Sequence, residues 1–139
     1  MNTKLVMTAS AVILVIAGVL LTFLPDVILE NIQLNPEARG IGVLLLQITG
    51  ALYFGFGMLN WTARRNVIGG IYNKPIAIAN FSHFFIAGMA ILKGLFAQPQ
   101  LPYLMWAAGL TYLLFAIYFG LISFRHPKAA EKAAKKKLI

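Results

Sequence analysis

Four uninterrupted apolar stretches, Leu5 to Leu24, Gly40 to Thr62, Ile76 to Leu95 and Tyr103 to Phe124, fill most of this 139-residue chain. Each is at least as long as the roughly 17 to 20 residues a bilayer-spanning helix needs. Lipid leaves no partner for a bare backbone N–H or C=O, so runs of this kind must become helices that satisfy themselves. With 60% hydrophobic and 12% charged residues, a water-soluble domain of this size would have too little polar surface to cover it. The expected fold is an all-α integral membrane protein, an antiparallel bundle of four transmembrane helices over residues 1–124. The helices fall at about 5–24, 36–63, 76–95 and 103–124, followed by a basic tail at 125–139.

Lys4 before an apolar run also suits a secretory signal. However, the run of about 20 residues exceeds the roughly 7 to 15 of a signal core, and no small-x-small cleavage site precedes Pro25-Asp26. The first stretch is therefore read as a mature helix. Basic residues favour the cytoplasmic side of short loops. With four alternating helices, ten of the twelve, Lys4, Arg64, Arg65, Lys74 and the six of the tail from Arg125 to Lys137, share one side, while Arg39 and Lys93 face the other. Both termini are expected inside, and positive-inside sidedness accounts for the net charge of +8. The tail has no aromatic residue interleaved with its lysines, which speaks against nucleic acid as a partner. Anionic lipid headgroups are its expected partner.

Helix starts are marked by Asn35-Pro36-Glu37, with a capping side chain, a proline where no N–H is needed and an acid at the positive end of the dipole. Pro75 and Pro102 open the third and fourth helices, and Gly69-Gly70 breaks the loop between the second and third. Between Pro25 and Leu34, apolar Val27, Ile28, Leu29 and Ile32 alternate with Asp26, Glu30 and Asn31. A short interfacial helix and an amphipathic loop fit that pattern equally well.

Helices in lipid meet through small residues and interhelical hydrogen bonds. The second helix carries Gln47, Gly50, Phe54, Gly57, Trp61 and Arg64 at helical spacing, with Ala51-x-x-x-Gly55 beside them. The third carries Asn80, His83, Ala87, Ala90 and Gly94, the fourth Tyr112, Ala116, Gly120 and Ser123, and the first Ala11 and Gly18. These strips are expected to face inward, with Gly50, Gly57, Ala87, Ala116 and Gly120 as packing positions and Gly57 meeting Ala87 between the second and third helices.

Polar groups within spans are costly unless satisfied, so they are packing devices or functional groups. Asn60, Asn80 and His83 fall at similar depth near the inner side and, with Arg64 one turn deeper toward the cytoplasm, form the candidate ligand-binding cluster, with Trp61 and Tyr72 as interface aromatics. On the outer side Gln47 is expected to be buried. Lys93 is expected to snorkel to headgroups, the alternative being a contact with Asp26 or Glu30. No residue qualifies as catalytic: there is no acid pair, Ser-His-Asp set or phosphate-cradling glycine loop. No cysteine and only two histidines, with no carboxylate inside a span, leave too few ligands for a metal, and no cofactor is expected.

The segment Glu37-Ala38-Arg39-Gly40, then Gly50-Ala51-Leu52-Tyr53-Phe54-Gly55-Phe56-Gly57-Met58-Leu59-Asn60-Trp61 and Ala63-Arg64-Arg65 resembles small four-helix membrane proteins of the DoxX-like and domain-of-unknown-function type. In that group an Arg-Gly start to the second helix, a glycine-rich middle and an Ala-Arg exit recur. What the resemblance implies is the architecture and an accessory role beside larger enzymes; it transfers no catalytic residue.

The expected function is that of a non-catalytic accessory or scaffold subunit of a larger membrane complex, its partners being the bilayer and other membrane proteins or further copies of itself. The alternative is a binder or carrier of a small lipophilic molecule such as a lipid, sterol or quinone. A pore formed by oligomers is a weaker alternative, because no helix carries a continuous polar stripe. The bacterial inner membrane is the expected location. The alternative, the endoplasmic-reticulum membrane, follows from the dilysine pattern Lys136-Lys137-Leu138-Ile139.

Overall fold

The structure is a computed structural model and describes residues 2–32, 36–66, 68 and 72–124. The described residues contain no strand. They form five helices: α1 Thr3–Phe23, α2 Pro25–Ile32, α3 Pro36–Ala63, α4 Lys74–Ala97 and α5 Tyr103–Phe124. Of these, α1, α3, α4 and α5 are long and apolar enough to cross a membrane. Asn35, Gly69-Gly70 and the basic tail lie outside the described residues.

Local chemistry explains the boundaries. The Asn2 side chain accepts a hydrogen bond from the Leu5 N–H at 3.2 Å and caps α1. At its other end Pro25 has no N–H to continue the helix and disfavours helical geometry at Leu24, where φ is −125° and ψ is 38°. Pro25 then opens α2, so the amphipathic stretch is a helix, with Leu29 buried and Asp26 and Glu30 exposed. Pro75 sits in the first turn of α4, where the N–H groups have no intrahelical partner. That allows α4 to start at Lys74 and run to Ala97, longer than the predicted 76–95.

The chain divides into two compact units, Met1–Arg65 and Asn66–Ile139. In the first, α1 and α3 pack antiparallel: Gly18 lies against Gly50 and Phe54, and Gly57 against Ala11 and Val15. The approach is so close that an ideal Cβ on Gly50 would stand 2.7 Å from the Gly18 carbonyl oxygen and 2.8 Å from the Thr22 backbone nitrogen, besides striking the Thr22 hydroxyl. Only glycine fits there. Within the first unit Gly57 therefore meets α1.

In the second unit α4 and α5 run antiparallel in the same manner, with Phe81 against Gly120, Gly88 against Tyr112, and Leu95 against Gly109. The centre is aromatic. Phe84 is fully buried and its ring stacks with Phe115 at 4.8 Å and Phe119 at 5.7 Å, with Tyr112 edge-on at 5.2 Å.

Candidate functional site

In the first unit Asn60 follows Gly57 by one turn on the face of α3 that α1 covers, and it is fully buried. Its Nδ2 donates to Ser10 Oγ at 3.1 Å, and Ser10 Oγ donates in turn to the Met7 carbonyl at 3.1 Å. This buried chain ties α1 to α3. Ser10 was not legible as a partner, because a serine in an apolar helix normally hydrogen-bonds to its own preceding turn.

Where α3 ends, Arg64 lies over the Trp61 ring, Cζ 3.6 Å from the ring centroid, and its Nη1 donates to the Trp61 carbonyl. Trp61 is exposed, as an interface aromatic would be, and so is Tyr72 in the second unit. Trp61 also borders a groove of about 280 Å³ between α1 and α3, lined with Ala11, Val12, Val15 and Met58. At the opposite end of this unit Arg39 Nη2 bridges Asp26 Oδ1 at 3.2 Å and Glu30 Oε1 at 3.0 Å, holding α2 to the start of α3. Arg39 is thus the cation over those carboxylates; Lys93, expected to snorkel, is exposed. Gln47, expected inside, is exposed on α3, as are Phe54 and Trp61 of the same predicted strip. The buried face turns through Gly50, Gly57, Asn60 and Ala63 instead.

In the second unit Asn80 is fully buried, and its Nδ2 donates to the Ile76 carbonyl of its own helix at 2.9 Å. His83 is half-buried, with ring centroids 5.1 Å from Phe84 and 5.8 Å from Tyr112. Ser123 hydrogen-bonds to the Phe119 carbonyl at 2.8 Å. The predicted α4 strip is displaced: Ala90 and Gly94 are exposed and Ala87 half-buried, while Ala77, Asn80, Phe84, Gly88 and Leu95 are buried. On α5, Ala116 is buried and Gly120 faces Phe81, as expected of packing positions. Beside them a wholly apolar groove of about 470 Å³ opens between α4 and α5, lined by Phe81, Phe84, Phe85, Met89 and Leu113.

The four residues of the predicted inner cluster divide between the units, Asn60 and Arg64 in the first and Asn80 and His83 in the second. Among the described residues no three of His, Cys, Asp and Glu come together in a metal-binding arrangement. No family model, curated protein or solved structure matches the chain.

Proposed function

We propose that this chain is a small integral membrane subunit, non-catalytic, that assembles beside larger membrane proteins. On this reading its two helix hairpins form a four-helix bundle with both termini on the basic, cytoplasmic side, in the manner of DoxX-like proteins, and the membrane is the bacterial inner one. The observation that carries the reading is where the in-span polar groups go: Asn60 to Ser10, and Ser10, Asn80, Thr111 and Ser123 to carbonyls of their own helices. Hydrogen bonds of this kind support helix association. Exposed large apolar side chains in each unit support it too, Leu44 and Leu52 in the first and Ile86, Leu104 and Leu114 in the second, suited to lipid and to neighbouring spans. Native mass spectrometry after extraction in mild detergent tests it: stoichiometric partner proteins are expected, and a chain that travels alone with a stoichiometric lipophilic compound contradicts it.

A second reading, a carrier of a small lipophilic molecule, is favoured by the aromatic groove between α4 and α5. It predicts the second of those two outcomes. Filling the groove with Gly120→Phe would then abolish the bound compound.

A further inference from the structure

We infer that the end of the first unit where α3 stops is a binding site for one anionic phospholipid, its phosphate held by Arg64 and an acyl chain laid in the groove between α1 and α3. The inference stands on this unit alone and does not depend on the accessory-subunit reading.

Three features meet there. The Arg64 guanidinium carbon stands over the Trp61 ring, 3.6 Å from its centroid. Of its five N–H donors one is directed at the Trp61 carbonyl, leaving an edge for the paired hydrogen bonds that phosphate oxygens accept. Trp61 is shared: the ring that carries Arg64 also forms the rim of the apolar groove of about 280 Å³ lined by Ala11, Val12, Val15 and Met58. A ligand filling both places must have an anionic end and an apolar body, which describes a phospholipid and neither free phosphate nor an acidic peptide.

Charge complementarity makes the same choice. Because α1 and α3 are antiparallel, Lys4 at the start of α1 stands at the end where Arg64 and Arg65 follow α3. The acidic residues of the unit, Asp26, Glu30 and Glu37, lie at the other end, with Arg39 bridging the first two. Glu37 and Arg64 are 27 positions apart, roughly 40 Å at the helical rise. Over that distance the screened field of the carboxylates does not reach Arg64.

The test uses the full chain in vesicles of equal parts phosphatidylglycerol and phosphatidylcholine, extracted gently, with the retained lipid read by mass spectrometry. Wild-type protein is expected to retain phosphatidylglycerol over phosphatidylcholine at no less than about five to one, the preference one basic residue near an anionic surface supplies. Arg64→Gln should lower the ratio to about a fifth of the wild-type one, leaving what the basic tail attracts by itself, whereas Arg65→Gln should keep the wild-type ratio. Val12→Trp, which fills the groove without changing charge, should reduce the total lipid retained. Arg64→Lys guards against misfolding: it keeps the charge, and with it most of the phosphatidylglycerol preference, but loses the planar fork and should retain less lipid in total. Wild-type retention at the vesicle ratio, equal losses from Arg64→Gln and Arg65→Gln, or a phosphatidylglycerol preference in Arg64→Lys as low as in Arg64→Gln would each overturn the site.

Discussion

Gly50 and Gly55 are one and a half turns apart on the same helix, and their surroundings are opposite. A Cβ at Gly50 would press on backbone atoms of Gly18 and Thr22, while one at Gly55 meets nothing within 4 Å. Backbone cannot swing aside, so Gly50→Ala is expected to destabilise by roughly 1–3 kcal/mol, the usual cost of overpacking. Gly55→Ala should be neutral or stabilising by up to about 1 kcal/mol, because it only removes a helix-interior glycine. Thermal unfolding in detergent measures both, and equal shifts would remove the packing argument. For the buried polar pair, a double-mutant cycle of Ser10→Ala and Asn60→Ala should return a coupling of about 0.6 kcal/mol, typical of hydrogen bonds between membrane helices. A coupling of zero would mean that the bond does not persist. Gly50 and Gly57 were readable as packing positions because a small residue in a long apolar run has few other uses. Their partner was not readable, since a glycine does not record which helix approaches it.

At the scale of elements, the spans were visible from length and hydropathy alone, and proline placed their starts to within about two residues. The face each helix buries was less visible. In a soluble helix polarity marks the outer side, but in lipid both sides are apolar, and the α4 strip read from Asn80, His83, Ala87, Ala90 and Gly94 shares Asn80 with the buried line and then misses Phe84 and Gly88 by about one position. Large aromatic residues proved to be core in the second unit: Phe84, Phe119 and Tyr112 are buried, and Gly88 makes room for Tyr112 as Gly120 does for Phe81. For α2, the amphipathic pattern left helix and loop open; Arg39 bridging Asp26 and Glu30 provides a tertiary tie the pattern alone could not show. These three side chains are exposed, so Arg39→Gln is expected to leave the global unfolding midpoint nearly unchanged. Amide exchange over residues 25–32 should nevertheless speed up in that variant, and unchanged local exchange would show that the ion pairs do not hold α2.

For the whole molecule, the account requires each hairpin to cross the bilayer and return, with the loop after α3 inside and the loop after α4 outside. The proposed sidedness is read from the basic residues Arg64, Arg65 and Lys74 between the hairpins, against the acidic Asp26, Glu30 and Glu37 up to the start of α3. Function left no comparable record, because packing glycines and satisfied asparagines look the same in a scaffold and in a carrier. The proposed assembly therefore depends on the crossing pattern being right. Asn66 and Gln100 are exposed, one in each loop, and the chain has no cysteine of its own. Single variants Asn66→Cys and Gln100→Cys, treated in intact cells with a membrane-impermeant thiol reagent, test the pattern directly. Gln100→Cys should be labelled from outside and Asn66→Cys only after the membrane is opened; labelling of both from outside, or of Asn66→Cys alone, would contradict the account.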